Sequence, residues 1–163
     1  MTANSTDSRL LIVWHSRTGA SEAMASAAAQ GDNTRILRAD EVEPDDLLNA
    51  AGYLFVGPEN LAALSGAMKE MFDRTYYPVL GRIEGRPYAT IIAAGSDGEN
   101  AQRQLDRIAK GWRLKRVAEP IIVNFDAQTP EEILAAKTPS DDVLRECREM
   151  GAGLAEGIAL GVF

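Results

Sequence analysis

Short apolar runs alternate along the chain with longer segments whose apolar residues follow a helical period. Apolar runs of this length suit parallel strands covered on both faces, and they predict five strands at residues 10–14, 34–37, 51–56, 87–94 and within 114–124. The helical segments predict helices at residues 18–30, 43–49, 65–76, 99–110 and 141–159. Residues 58–64 and a stretch containing Pro130 and Pro139 are predicted as loops. This alternation is typical of an α/β domain with helices on both faces of a parallel sheet.

The length and composition fit one folded domain. The chain has 163 residues, of which 45% are hydrophobic and 25% are charged, the proportions of a globular protein with a core of ordinary size. We expect a single domain over residues 1–163, with residues 1–8 as a flexible N-terminus. The net charge of -7 argues against nucleic acid and against an anionic membrane as partners, because an acidic surface attracts neither.

Cysteine and histidine each occur once, as Cys147 and His15. A single cysteine cannot form an internal disulfide or a cysteine-based metal cluster, and a single histidine excludes the usual multi-histidine sites, so we predict no bound metal. The apolar run at residues 10–14 is too short for a signal-peptide core or a membrane span. The expected location is the cytoplasm.

The segment after the first predicted strand is rich in hydroxyl groups and small residues, and reads His-Ser-Arg-Thr-Gly-Ala-Ser over residues 15–21. A phosphate group needs converging N–H and O–H donors and a positive helix end, without bulky side chains in the way. The segment lacks the glycine spacing of a dinucleotide fingerprint and the Gly-Lys-Ser/Thr of a nucleoside-triphosphate loop. It therefore fits a monophosphate better than a pyrophosphate. The alternative is an ordinary helix cap at Thr18, with Gly19 as a turn.

Two other strand ends carry small and polar residues. Gly-Pro-Glu-Asn follows the third strand at residues 57–60, and Gly-Ser-Asp-Gly follows the fourth at residues 95–98. In an open parallel sheet, ligands bind outside the carboxyl ends of the strands, where the strand order reverses. The three segments together therefore predict a ligand site at this edge of the sheet.

The three segments resemble a known family. Residues 16–21 resemble the Ser/Thr-x-Thr-Gly-x-Thr/Ser phosphate loop of flavodoxin-like proteins. Residues 57–60, with residues 65–69 and 72–74 that follow, resemble the ring-facing loop and helix of the NAD(P)H-dependent FMN reductase and quinone oxidoreductase branch. Residues 95–98 stand where that family has its second flavin-facing loop. The resemblance covers residues 10–124 and implies a flavodoxin-like three-layer sandwich, with a five-stranded parallel sheet of order 2-1-3-4-5 and helices on both faces.

The resemblance also implies a cofactor, FMN, and the residues that bind it. The phosphate would be held by the side chains or amides of the first loop, the isoalloxazine ring would lie against the backbone of the second, and the third would close the other edge of the ring. The implied residues are Ser16, Arg17, Thr18, Gly19, Ala20, Ser21, Pro58, Glu59, Asn60, Leu61, Gly95, Ser96, Asp97 and Gly98.

The activity implied by this branch is NAD(P)H-dependent oxidoreduction, in which hydride passes from NADH or NADPH to the flavin and electrons pass on to a quinone or another small acceptor. Electron-carrier flavodoxins usually place aromatic residues against the flavin, whereas residues 58–64 and 95–100 contain no Trp, Tyr or Phe. A flavin without stacked rings is open to a nicotinamide or a quinone, so the reductase is favoured, with no catalytic acid or base nominated. The alternatives are an electron carrier for a protein partner and a non-catalytic flavodoxin-like binding module. Reductases of this branch often form homodimers or homotetramers, and we expect association.

Several side chains near these loops have open roles. His15 can contact the cofactor, but a structural role at the strand end is favoured. Glu59 and Asp97 can tune the ring or bind ribose, although solvated loop carboxylates are slightly favoured. Tyr76 and Tyr77 can cap the core or form a subunit interface that borders the flavin, and the sequence favours neither.

Overall fold

The computed structural model describes residues 9–163 as an α/β fold. The expectation that residues 1–8 form a flexible N-terminus lies outside the described residues. The strands are β1 (Leu10–Trp14), β2 (Thr34–Arg38), β3 (Gly52–Asn60), β4 (Ala63–Leu64), β5 (Pro87–Ala94), β6 (Lys115–Arg116) and β7 (Ile121–Asn124). The α-helices are α1 (Ala20–Ala28), α2 (Pro44–Asn49), α3 (Gly66–Val79), α4 (Glu99–Gly111), α5 (Pro130–Leu134) and α6 (Asp141–Leu160), and a 3-10 helix covers Ala39–Glu41.

The strands form a sheet whose parallel neighbours run β2-β1-β3-β5-β6, with β7 also beside β5. The predicted parallel sheet is confirmed, but the predicted count of five strands is wrong because residues 9–163 contain seven. One extra strand arises because β6 and β7 pair with opposite ends of β5, at Pro87–Tyr88 and at Ile91–Ala94. The interruption between them contains Pro120, which has no N–H to donate to a strand ladder.

Two segments predicted as loops contain regular structure. Residues 58–64 complete β3 and return through β4 as an antiparallel hairpin, with Glu59 opposite Leu64. The stretch after β7 contains α5, which starts at Pro130 after a capping box in which the Thr129 hydroxyl accepts from the N–H of Glu132. Proline in the first helical position and such a box are both helix-start signals.

The core has two layers, one on each face of the sheet, because strands covered on both faces point alternate side chains to opposite sides. Leu11 and Val13 point into the layer beneath α2, α3 and α4, whereas Leu10 and Ile12 point into the layer beneath α1 and α6. The helices α1 and α6 lie in direct contact along their length. A Cβ added at Gly151 of α6 would lie 2.0 Å from the carbonyl oxygen of Ala28, so only glycine allows this close approach.

We call the edge of the sheet where the parallel strands begin the amino edge. Arg86 binds several backbone carbonyl groups there. Nη1 of Arg86 donates to the carbonyl oxygens of Leu48 and Ala50, each at 2.7 Å, and of Leu47 at 3.0 Å. The buried hydroxyl of Tyr53 donates to the Leu47 carbonyl at 2.6 Å. Burial raises the pKa of Tyr53 to about 12, so this hydroxyl keeps its proton and remains a donor. The last carbonyls of α2 thus find partners inside the protein.

Candidate functional site

The predicted loops meet at the opposite edge, where the parallel strands end; we call it the carboxyl edge. Trp14 at the end of β1 lies beside Val56 of β3, and Pro58 of β3 lies beside Ala93 of β5. The segments after β1 (residues 15–21), along the β3–β4 hairpin (residues 57–64) and after β5 (residues 95–98) are called the phosphate loop, the hairpin and the third loop. The register of the strands brings all three to one edge.

The phosphate loop leads directly into α1. Gly19 has a φ of 100°, a conformation that L side chains rarely adopt, and its N–H donates to Oγ of Ser16 at 3.0 Å. No side chain among residues 9–163 caps α1, so the alternative interpretation, a helix cap at Thr18, is not supported. Ser21, in the first turn of α1, is 1% exposed, and its hydroxyl has no hydrogen-bond partner among the described residues.

These features test whether the loop suits a phosphate monoester. Buried polar groups are almost always hydrogen-bonded, and an unpaired one costs about 1–3 kcal/mol. A hydroxyl left unpaired in the first turn of an uncapped helix is therefore available to donate a hydrogen bond to a bound ligand. The helix dipole makes that position favourable for an anion. Ser16 and Thr18 add hydroxyl groups that are half-buried, and Arg17 adds an exposed cation. Residues 16–21 therefore suit a phosphate monoester.

The hairpin turns at two residues that adopt left-handed backbone conformations. Leu61 has a φ of 50° and Ala62 a φ of 63°, as in the two-residue turns that normally use Asn and Gly. The side chain of Leu61 is fully exposed. An apolar side chain at the tip of a strained turn has no role in the packing of the described residues, and it lies beside the candidate site.

Side-chain contacts connect the three segments. With the amide of Asn60 oriented toward Arg17, its oxygen accepts from Nε of Arg17 at 3.0 Å, which joins the hairpin to the phosphate loop. Glu59 joins the hairpin to the third loop, because its carboxylate accepts from the N–H groups of Gly98 at 2.9 Å and Ala101 at 3.0 Å. The interpretation of Glu59 as a solvated carboxylate is therefore wrong: it caps α4, whose positive end favours an anion.

The third loop is held mainly through its backbone. Gly98 has a φ of 94°, and a Cβ added there would lie 2.5 Å from Cγ2 of Ile122, so glycine is required. The carbonyl of Ser96 accepts from Nδ2 of Asn124 at 2.7 Å. Ser96 and Asp97 are exposed, and within residues 9–163 the Asp97 carboxylate accepts one long bond, of 3.3 Å, from the N–H of Glu99. Ser96 and Asp97 keep their side chains toward solvent.

A fourth segment at this edge has no counterpart among the predicted site residues. The N–H of Lys137 donates to the carbonyl of Thr18 at 2.8 Å, and the N–H of Ala127 donates to that of Gly95, also at 2.8 Å. Residues 124–137 therefore border both the phosphate loop and the third loop. Backbone bonds between residues this distant leave no local sequence signal.

The imidazole of His15 contacts a hydroxyl group. Its Nδ1 lies 2.8 Å from Oγ of Ser65, which directly precedes α3. Burial and the nearby guanidinium of Arg17 lower the pKa of His15, whereas Asp40 acts in the opposite direction. The imidazole is therefore neutral near pH 7, and the structural role favoured for it agrees with this contact.

Tyr76 and Tyr77 lie away from the candidate site. They are 38% and 81% exposed, with ring centroids 5.1 Å apart, so Tyr77 does not cap the core. Tyr77 is eleven residues past the first residue of α3, Gly66, which places it roughly 16 Å along the helix from the carboxyl edge. An interface at these rings would not border the loops. Along residues 9–163, no helix combines the length and the apolar character needed to cross a membrane.

We compared the chain with protein-family models and with known proteins. No protein-family model matches the chain. A protein named flavodoxin from Aquifex aeolicus (strain VF5) is 25% identical over 165 residues, covering 94% of this chain and 89% of that protein.

Solved flavodoxin structures superpose on this chain, at lower sequence identity. A flavodoxin from the domain Archaea superposes with a TM-score of 0.74 at 19% identity, over 93% of this chain and 99% of that one. A WrbA-like flavodoxin from Agrobacterium tumefaciens superposes with a TM-score of 0.76 at 18% identity, over 93% of this chain and 98% of that one. The predicted resemblance is confirmed at the level of the superfamily: the chain has the flavodoxin-like fold.

Proposed function

We propose that this protein binds FMN at the carboxyl edge and functions in electron transfer. The observation that carries the proposal is the buried, unpaired hydroxyl of Ser21 in the first turn of an uncapped helix. A fold maintained only for stability would not retain such a group, because replacing it with hydrogen removes an unsatisfied polar atom at little cost. The flavodoxin of Aquifex aeolicus, 25% identical, supports the same ligand class.

Each segment has a role in this proposal. The phosphate loop would hold the phosphate through the hydroxyls of Ser16, Thr18 and Ser21 and the amides that begin α1. The hairpin and the third loop would border the isoalloxazine ring, with Glu59 fixing one relative to the other. FMN, when bound, supplies a ring that accepts and releases hydride or single electrons. The protein supplies orientation, and no side chain at the edge is assigned as a general acid or base.

The test is the pair of variants Ser21→Ala and Ser26→Ala, which remove one buried and one exposed hydroxyl from the same helix. Ser21→Ala should weaken FMN binding about 10- to 100-fold, since a hydrogen bond to a charged group contributes about 1.5–3 kcal/mol. It should leave the Tm of the flavin-free protein unchanged or raise it. Fluorescence quenching gives the Kd, and calorimetry gives the Tm.

Ser26→Ala should change neither quantity. A Ser21→Ala variant that binds FMN like the wild type would contradict the assignment of this hydroxyl. A wild-type protein that takes up no FMN on titration would reject the flavin proposal itself and leave the non-catalytic binding module.

Within this function we propose an NAD(P)H-dependent oxidoreductase that passes electrons to a quinone or another small acceptor. Two features of the hairpin and the third loop favour it. The ring-facing segments contain no Trp, Tyr or Phe, and the exposed tip of the hairpin is the aliphatic Leu61. A flavin bordered in this way would leave one face accessible to a planar substrate.

An electron carrier for a protein partner is the second candidate. The similarity to the Aquifex aeolicus flavodoxin and the net charge of -7 favour it, because an acidic surface steers encounters with basic partners. Anaerobic addition of NADH or NADPH to the FMN-loaded protein separates the two. Loss of the visible flavin absorption within seconds supports the reductase, whereas absorption that persists until dithionite is added supports the carrier.

Assembly and location belong to the same proposal. The reductase branch implies a homodimer or a homotetramer, and light scattering on the FMN-loaded protein measures the mass directly. A cytoplasmic location and a single domain over residues 1–163 remain predictions.

A further inference from the structure

One side-chain contact joins the phosphate loop to the helix that follows the hairpin. Nδ1 of His15 lies 2.8 Å from Oγ of Ser65, across 50 residues of sequence. Ser65 is 0% exposed and directly precedes α3, yet its hydroxyl does not cap that helix. Helix capping therefore does not explain a buried serine at this position, and the contact with His15 does.

Both partners are fixed by their backbones. The N–H of His15 donates to the carbonyl of Val56 at 3.1 Å, and the carbonyl of Ser65 accepts from the N–H of Lys69 at 3.0 Å. His15 is the first residue of the phosphate loop, and Ser65 follows the return strand β4 of the hairpin. The contact thus sets the spacing between the two segments between which the ring and the ribityl chain of the flavin would lie.

We propose that His15 is a positioning residue whose neutral imidazole accepts a hydrogen bond from Ser65 and thereby holds the hairpin and the phosphate loop at the spacing that bound flavin requires. The inference rests on the proposed function, since it takes the ring and the ribityl chain of the flavin to lie between these two segments. His15 acts through Ser65 and the backbone, and it is assigned no contact with the reacting atoms.

The surroundings of His15 make the contact sensitive to pH. Arg17 on its own loop, Arg38 at the end of β2 and Asp40 on the 3-10 helix face the imidazole, and Arg38 donates to Asp40 at 2.9 and 2.6 Å. If the ring takes up a proton, Nδ1 becomes a donor and the hydroxyl hydrogen of Ser65 loses its acceptor. The reversed bond to Oγ leaves that buried hydroxyl hydrogen unpaired and puts a charge where burial disfavours it, so acid should weaken the contact.

Riboflavin is the best probe, because it has no phosphate whose own titration, or whose attraction for a protonated histidine, would enter the measurement. Its Kd for the whole protein is measured by fluorescence quenching from about pH 8 to about pH 5, the range in which histidine titrates. Wild-type protein should lose about tenfold in affinity over this range, as expected when one hydrogen bond is lost. His15→Asn places a non-titrating acceptor near the position of Nδ1, and its affinity should stay within about twofold across the range.

Ser65→Ala and Thr75→Val form the matched pair. Both residues are fully buried, at the start and in the body of α3, but the Thr75 hydroxyl donates to the carbonyl of Met71 within the helix at 2.7 Å. Ser65→Ala should bind riboflavin about tenfold more weakly at about pH 8 and show no further loss in acid. Thr75→Val should keep the wild-type pH profile.

A second readout needs no flavin. His15 is the only histidine in the chain, so its imidazole NMR resonance reports its pKa directly in protein free of an affinity tag. That pKa should rise in Ser65→Ala, because the neutral ring loses the hydrogen bond that favours it. Identical values in the two proteins would overturn the contact.

The binding experiment separates the two proposals. Flavin binding with the same pH profile in wild type and His15→Asn overturns the role of His15 and leaves the proposed function intact. Wild-type protein that binds neither FMN nor riboflavin at about pH 8 overturns the proposed function, and the positioning role with it.

Discussion

The two edges of the sheet differ in how well their buried polar groups are hydrogen-bonded. At the amino edge, the guanidinium of Arg86 and the hydroxyl of Tyr53 satisfy the last carbonyls of α2. At the carboxyl edge, the buried hydroxyl of Ser21 has no partner within residues 9–163, and the turn at Leu61 and Ala62 uses unfavourable backbone conformations. The first edge stabilises the fold. The second gives up stability in places where a ligand could recover it.

The largest effect on stability is expected at the amino edge. Arg86→Ala should lower the free energy of unfolding by about 2–4 kcal/mol, because several half-buried carbonyl oxygens lose a charged donor. FMN affinity of the folded variant should stay within about twofold, since Arg86 lies at the far edge. Urea unfolding followed by tryptophan fluorescence measures the first quantity, and flavin titration measures the second.

Arg82→Ala is the control, because Arg82 is exposed and, among residues 9–163, its side chain makes one long bond, of 3.5 Å, to the carbonyl of Pro78. It should cost less than about 0.5 kcal/mol. Equal losses in the two variants would break the contrast between the edges, as would an Arg86→Ala protein that folds well but no longer binds FMN.

A smaller effect is expected where the carboxyl edge is itself tied together. Glu59→Gln should lower the free energy of unfolding by about 1 kcal/mol, because a neutral amide can no longer accept from both Gly98 and Ala101 and loses its attraction to the positive end of α4. Glu99→Gln removes the same charge from the first turn of α4 without breaking these two bonds. Chemical unfolding of both proteins measures the difference. Equal stabilities would show that the Glu59 contacts contribute nothing beyond charge.

The smallest effect has the opposite sign. Ala62→Gly should raise the free energy of unfolding by about 0.5 kcal/mol, because relief of the left-handed conformation outweighs the entropy that glycine loses on folding. Ala63→Gly, one residue further and inside β4, should lower it by a similar amount. A thermal melt that shows both variants destabilised would mean that the turn carries no strain.

The strands β1, β3 and β5 could be predicted because they are largely buried and appear in the sequence as unbroken apolar runs, such as residues 10–14. The hairpin could not be predicted, because Leu61 and Ala62 occupy a type of turn that usually contains Asn and Gly. The division of the fifth strand and the helix α5 had usable signals, in Pro120 and in the capping box that begins at Thr129.

Some features of the candidate site could likewise be predicted from the sequence, and others could not. The position of the phosphate loop at the carboxyl edge was predictable, because its hydroxyls and glycine directly follow a buried strand. The role of Glu59 was not, because its partners Gly98 and Ala101 are about forty residues away and only the fold brings them together. The same holds for Lys137 beside Thr18 and for Ser65 beside His15.

The contact between α1 and α6 has a consequence for biosynthesis. The helix α6 leaves the ribosome after every other described element, so the apolar face containing Leu10 and Ile12 lacks this cover while the rest of the sheet can already form. Gly151, pressed against Ala28, lets the late helix seat closely on the alanine-rich surface of α1. Each nascent molecule therefore exposes part of this apolar face until α6 has been synthesised, a state that is prone to self-association.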